Sequence, residues 1–112
     1  MNVLILGGAG FVGRHYTEYF LKKKANVEII DNIAPLSGGL HPKRWKFFDP
    51  YKFNRLFKFS KKDCRKFFNY KISKKYNLVI NLAAIVGGRE VIEYNPLAVA
   101  EDLEIDTAFW RW

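Results

Sequence analysis

Ten residues near the amino terminus, Leu4-Ile5-Leu6-Gly7-Gly8-Ala9-Gly10-Phe11-Val12-Gly13, restrict this chain more than any other stretch. Met1 to Leu6 is a short apolar run without internal period, which suits a strand buried on both faces of a parallel sheet. Three glycines follow at a spacing of three: Gly7, Gly10 and Gly13. A helical pattern then begins, with Val12, Tyr16, Tyr19, Phe20 and Lys23 at steps of three and four. Strand, glycine turn and helix, in that order, form a phosphate cradle. Gly7 lets the chain leave the strand in a tight turn. Gly10 lets a phosphate reach the backbone without a Cβ in the way, and Gly13 lets the helix lie close on the sheet. The free N–H groups of the first helical turn, those of Phe11, Val12 and Gly13, then face the anion, helped by the helix dipole.

A second strand is expected over Val27–Ile30, with Glu28 its only polar break, and it ends in Asp31-Asn32. Asp31 lies eighteen residues after Gly13. A carboxylate at the tip of the second strand of a dinucleotide-binding unit accepts hydrogen bonds from ribose hydroxyls and repels a 2′-phosphate, which favours NAD over NADP. A turn or cap role is the other reading of an aspartate placed there. Residues 33–54 are punctuated by Pro35, Gly38, Gly39, Pro42 and Pro50, so a long loop with one short helical turn is expected. Trp45, Phe47, Phe48, Tyr51 and Phe53 are expected to pin it to the body, a reading favoured over the other one their interleaving with basic residues allows, the stacking and neutralising of single-stranded nucleic acid. Leu56–Phe59 reads as a third strand, and Cys64, Phe67, Phe68 and Ile72 share one face of a following helix. Leu78–Leu82 is the fourth strand, running into Ala83-Ala84. Pro96 to Trp112 reads as a final helix with an apolar stripe through Leu97, Ala100, Leu103 and Ala108, widened by Val99, Ile105, Phe109 and Trp110, and with Glu101, Asp102 and Glu104 on its wet side.

The turn is spaced G-x-x-G-x-x-G, written Gly-Gly-Ala-Gly-Phe-Val-Gly, and the fourth strand carries Asn81-Leu82-Ala83-Ala84. In both features the chain resembles the extended short-chain dehydrogenases, the NAD-dependent epimerases, dehydratases and reductases of nucleotide sugars. The resemblance covers nearly the whole chain. It implies a Rossmann-like α/β fold with a doubly wound parallel sheet, here β-α-β-β-α-β-α with strand order 3-2-1-4, and NAD as cofactor. It places Asp31 and Asn32 at the adenosine ribose. It places Asp63 at the adenine amino group and Cys64 under the ring, although Lys62 stands where the family usually has glycine. Asp63 also suits a helix N-cap, and the two roles can coexist. Leu82, Ala83 and Ala84 would let ribose and phosphates pass close to the strand end. The loop Ile85-Val86-Gly87-Gly88-Arg89 would lie near the nicotinamide and the sugar nucleotide. Arg89 reads equally as a substrate-phosphate ligand or as a surface arginine.

At 112 residues the chain has room for one domain. Its single cysteine, Cys64, permits no internal disulfide, and no signal peptide or membrane span is evident, so the protein reads as cytoplasmic and soluble. The net charge is +8, concentrated between His41 and Tyr76, where thirteen Lys or Arg face only Asp49 and Asp63. A nucleic-acid or anion-steering face is one reading of that bias, and an ordinary solvated surface is the favoured one.

Family enzymes are roughly two to three times longer. They depend on a Tyr-x-x-x-Lys pair, in which the lysine lowers the tyrosine pKa so that the phenolate takes a proton during hydride transfer. Tyr70 and Lys74 have that spacing, but they precede the fourth strand and read as a solvated helix end. The chain therefore reads as an NAD-binding portion truncated before its catalytic and substrate-binding segments, with no catalytic residue and no metal site assigned. A nucleotide-sugar substrate would be met only by a longer chain. The fourth strand would become an unprotected edge, and self-association through it and the last helix is expected. The alternatives are a non-catalytic nucleotide-binding module completed by a partner chain and, last, a basic nucleic-acid-binding half-fold.

Overall fold

The computed structural model describes residues 1–35, 37–86 and 89–112. Four parallel strands make one sheet: β1 (Asn2–Leu6), β2 (Asn26–Asp31), β3 (Phe57–Lys61) and β4 (Leu78–Asn81), in the order β3-β2-β1-β4. This is the expected Rossmann-like α/β arrangement. Leu4 pairs with Glu28 on one side and with Val79 on the other, so β1 is central. Val3, Leu4, Ile5 and Leu6 are fully buried, as a strand covered on both faces requires. Val3 and Ile5 face a core with Phe20, Leu21, Val27, Ile29, Trp45 and Phe57. Leu4 and Leu6 face a smaller one with Ile30, Cys64 and Ile105.

The first helix, α1 (Phe11–Lys22), corrects one expectation. Val12, Tyr16 and Tyr19 are exposed, and the inward face is Gly13, Thr17, Phe20 and Leu21. Backbone contact decides this face. A Cβ on Gly13 would stand 2.6 Å from the Gly7 carbonyl oxygen and from Gly8 Cα, so Gly13 has to point at the turn. Thr17 is buried because its hydroxyl donates to the Gly13 carbonyl at 2.8 Å. A glycine and a threonine carry no hydropathy signal, and the aromatic residues beside them misdirected the periodicity.

Between β2 and β3 the chain makes two 3-10 segments, Pro42–Arg44 and Pro50–Leu56, where one helical turn was expected. Each begins with proline after a capping side chain: His41 Nδ1 accepts from the Lys43 amide, and Asp49 accepts from the Tyr51 amide. Trp45 is buried and its indole donates to the Leu40 carbonyl at 2.8 Å. Phe48 and Phe53 are half-buried, and Phe47 and Tyr51, although partly exposed, also hold the loop, Phe47 with its ring 5.1 Å from His15 of α1 and Tyr51 edge-on to Phe57 at 5.3 Å.

The helix after β3 is short, α2 (Cys64–Phe68), and Ile72 lies beyond it. Tyr70 and Lys74 are therefore not on a helix. Tyr70 is exposed, and Lys74, exposed as well, reaches Glu28 at 3.4 Å. A helix that was not expected, α3 (Arg89–Tyr94), precedes α4 (Pro96–Arg111). The expected α4 stripe faces the sheet only in part: Leu97 and Leu103 are 77% and 71% exposed, whereas Ile105 is buried and Phe109 packs against the core of Leu4 and Leu6. Ala98, which the stripe did not include, is buried as well. Two side chains set this rotation. Asp102 accepts from the Ile85 amide at 2.7 Å, and Asp106 accepts from Asn81 Nδ2 at 3.2 Å. Asp102 and Glu101 are accordingly half-buried rather than on the wet side. No described helix is long and apolar enough to cross a membrane.

Candidate functional site

A cleft of ≈ 410 Å³ opens at the carboxyl ends of the strands, where open parallel sheets bind ligands. All twelve residues singled out as cofactor-binding line it: Gly7, Gly10, Phe11, Val12, Gly13, Asp31, Asn32, Asp63, Cys64, Leu82, Ala83 and Ala84. They come from four separate stretches of chain, brought together by the crossovers that put β4 and β2 on either side of β1.

The glycine turn forms the floor. Gly7 has φ +72°, and a Cβ there would sit 2.6 Å from the Leu82 carbonyl carbon. The turn and the β4 exit are thus pressed backbone to backbone, which the small Ala83 and Ala84 accommodate. Gly8, which sequence reasoning passed over, takes the sheet-packing role given to Gly13. Its Cβ would meet Ile29 Cβ at 2.5 Å. Gly10 differs from both: the nearest protein atom to an added Cβ is the Gly7 oxygen at 3.3 Å, so its bare side faces the cleft. As N-cap of α1, Gly10 offers no side-chain acceptor. The amides of Phe11, Val12 and Gly13 therefore have no capping partner and point, with the helix dipole, towards the opening.

Asp31 stands at the tip of β2, buried. Its Oδ2 accepts from the Ala9 amide at 3.0 Å and its Oδ1 from the Ile33 amide at 2.8 Å. A carboxylate has about four lone-pair positions, so two remain for a ligand in the cleft. Next to it, Asn32 uses its side-chain oxygen to accept from the Ala34 amide.

Across the cleft Asp63 caps α2 by accepting from the Arg65 amide at 2.9 Å, as expected. Its carboxylate is also held by the Arg65 guanidinium, at 2.8 Å from the terminal nitrogen. That hydrogen bond keeps the Asp63 carboxyl below its usual range. Arg65 reaches on to Glu104 at 2.6 Å and Glu101 at 3.6 Å, clipping α2 to α4. Burial, and then Asp63, push the Cys64 thiol up to about 11, so it is a neutral, apolar wall residue. Lys62, Arg65 and Glu101 also line the cleft and were missed. The cap at Asp63 was the one signal for Arg65, and nothing in the local sequence marks Glu101. Arg89 does not line the cleft. It is exposed and pairs with Glu93 at 2.7 Å. The Gly87-Gly88 pair of the expected loop lies outside the described residues.

The arrangement fits a dinucleotide. It offers bare backbone and uncapped amides for phosphates, an anionic acceptor with spare lone pairs for ribose hydroxyls, and a small-residue wall along the β4 exit. No described cluster of His, Cys, Asp or Glu is placed to hold a metal.

Solved structures share this architecture. UDP-glucuronic acid 4-epimerase from Bacillus cereus, determined in complex with NAD, is 31% identical over 84% of this chain, with a TM-score of 0.55. An epimerase from Methanothermobacter thermautotrophicus (24% identity, 96% of this chain, TM-score 0.67) and a UDP-glucose 4-epimerase (20% identity, 99% of this chain, TM-score 0.66) share the fold. The chain spans 31%, 31% and 32% of the lengths of these three proteins. No curated protein matches. The model of the NAD dependent epimerase/dehydratase family matches residues 3–108. With NAD the cofactor of that family, and with the expected strand order and glycine turn in place, this chain belongs to the NAD-dependent epimerase/dehydratase family.

Proposed function

We propose that these 112 residues are the NAD-binding portion of an NAD-dependent epimerase, dehydratase or reductase acting on a nucleotide sugar. The carrying observation is that the Asp31 carboxylate and the bare Gly10 backbone line one cleft. Gly7, Gly10 and the amides of Phe11, Val12 and Gly13 hold the pyrophosphate. Asp31 and Asn32 orient the adenosine ribose, and Asp63 and Cys64 border the adenine. Leu82, Ala83 and Ala84 keep the β4 exit open along the cofactor. Bound NAD supplies hydride transfer. The nucleotide-sugar assignment draws support from the UDP-sugar epimerases among the similar structures.

Proton transfer lies outside this stretch in the same reading. Among the described residues no tyrosine lines the cleft. Lys74 is committed to Glu28, so it cannot tune Tyr70. The 112 residues alone should bind NAD without turning over substrate, in the cytoplasm, where the lone thiol of Cys64 stays reduced. β4 is an edge of the sheet, and Leu97, Leu103 and Trp110 stand exposed on α4, which supports self-association of this polypeptide through that side.

Calorimetric titration with NAD tests the reading. Saturable 1:1 binding that Gly10→Ala weakens at least tenfold is expected. Binding that ignores the substitution would remove the glycine turn from the site. Light scattering at micromolar concentration is expected to show more than a monomer.

A further inference from the structure

The segment from Pro42 to Leu56 divides its aromatic residues into two sets. Trp45, Phe48 and Phe53 pack inwards, whereas Phe47 and Tyr51 remain 47% and 42% exposed. The neighbouring helix α1 shows Tyr16 and Tyr19, which the core does not use. His15 joins the two elements, with its ring 5.1 Å from Phe11 and 5.1 Å from Phe47. The segment is strongly cationic. Lys43, Arg44, Lys46, Lys52 and Arg55 are exposed, and among the described residues none forms an ion pair. Asp49, the one acid between them, accepts from the Tyr51 amide. Lys23 adds its ammonium 5.2 Å from the Tyr19 ring centroid.

Unpaired cations alternating with exposed flat rings match one kind of ligand, a chain of phosphates carrying unstacked bases. An apolar protein partner would leave these charges unanswered. A duplex hides the base faces that rings stack on. We propose that the face formed by α1 and residues 42–56 binds single-stranded nucleic acid, with Phe47 and Tyr51 as stacking platforms and Lys43, Arg44, Lys46, Lys52 and Arg55 on the phosphates. The sequence already offered single-stranded nucleic acid as a reading of this loop, with loop packing favoured over it. The exposure of two rings beside five unpaired cations is what the fold adds.

Fluorescence anisotropy of the whole chain with a labelled uridine oligonucleotide tests this, against a DNA duplex of the same length and vesicles of anionic phospholipid. The single strand should bind tightest. Phe47→Ala with Tyr51→Ala should weaken it about tenfold or more, since each base–ring stack contributes on that order. Lys43→Gln, Lys46→Gln and Lys52→Gln together should flatten the salt dependence by about 2 in log–log slope, near 0.7 for each phosphate left without its cation. These lysines have no side-chain partner among the described residues, so the charge variant keeps its fold and decides the matter if the ring variant does not. Absent binding, preference for vesicles or duplex, an unchanged affinity in a folded ring variant, or an unchanged salt slope would each overturn the proposal.

Discussion

The two ends of β2 hold buried carboxylates that are satisfied in opposite ways. Glu28, towards the start of the strand, meets Lys58 at 2.8 Å, the Tyr76 hydroxyl at 2.9 Å and Lys74 at 3.4 Å. Burial alone would raise its pKa, but Lys58, Tyr76 and Lys74 outweigh that and hold it below the usual value. Asp31, three residues on, meets no cation among the described residues and accepts only the amides of Ala9 and Ile33. Glu28 is thus neutralised from outside by β3 and by the stretch leading into β4. Asp31 keeps two lone-pair positions for the cleft it lines. A buried acid surrounded by its own counter-ions is a clamp. One held by backbone amides alone is a receptor awaiting a donor.

The strongest way to break the receptor end is through its backbone. Gly7→Ala places a side chain at φ +72° and 2.6 Å from the Leu82 carbonyl carbon. Left-handed strain of about 1–2 kcal/mol adds to overpacking of about 1–3 kcal/mol. A loss near 3 kcal/mol or more in chemical denaturation is expected, a large share of the about 5–15 kcal/mol that holds a domain folded. Gly10→Ala should behave oppositely, losing NAD affinity with a stability change below about 1 kcal/mol, because its Cβ meets protein only at 3.3 Å. Equal destabilisation by both would mean that the turn has a structural role alone.

Substitutions in β2 sharpen the contrast directly. Asp31→Ala leaves the buried Ala9 amide without its acceptor, at about 1–3 kcal/mol, and the half-buried Ile33 amide with it, and should narrow any preference for NAD over NADP. Glu28→Gln should lower stability by about 2 kcal/mol and leave both cofactor affinities unchanged, since its partners lie outside the cleft. Paired titrations with the two cofactors check this. A cofactor effect at Glu28, or none at Asp31, would reverse the assignment.

Backbone-determined parts of the molecule were legible in the sequence, and side-chain-determined parts were not. The glycine corner and Asp31 follow from spacing, whereas the strand order and the places of Asp63, Cys64, Leu82, Ala83 and Ala84 followed from the family resemblance, and all twelve residues line the cleft. The inward faces of α1 and α4 were legible only in part, through Phe20 on α1 and through Ile105 and Phe109 on α4. Gly13 and Thr17 face inwards on α1 through contacts with backbone, and Asp102 and Asp106 set α4 through hydrogen bonds to Ile85 and Asn81. Hydropathy periodicity registers none of these. Glu28 looked like a flaw in a strand because its partners, Lys58, Lys74 and Tyr76, are thirty or more residues away. Arg65 was overlooked for the same reason, as its link to Glu104 spans the distance from α2 to α4.

Acid titration gives the finest discrimination between the two kinds of carboxylate. Glu28 and Asp63 both lie below their ordinary values in the folded chain, Glu28 through Lys58, Tyr76 and Lys74 against the cost of burial, Asp63 chiefly through Arg65. A group depressed on folding contributes stability that is fully present above its unfolded pKa, about 4, and is lost as pH falls through the folded value. Urea midpoints should therefore hold between about pH 5 and pH 7 and decline below about pH 4. Arg65→Gln should remove the Asp63 part of that decline and cost under about 1 kcal/mol at neutral pH, because the clip is partly solvated. Glu28→Gln should remove the larger part, since its carboxylate is only 5% exposed. A decline unchanged in the Glu28→Gln variant would show that the clamp end of β2 does not set acid stability.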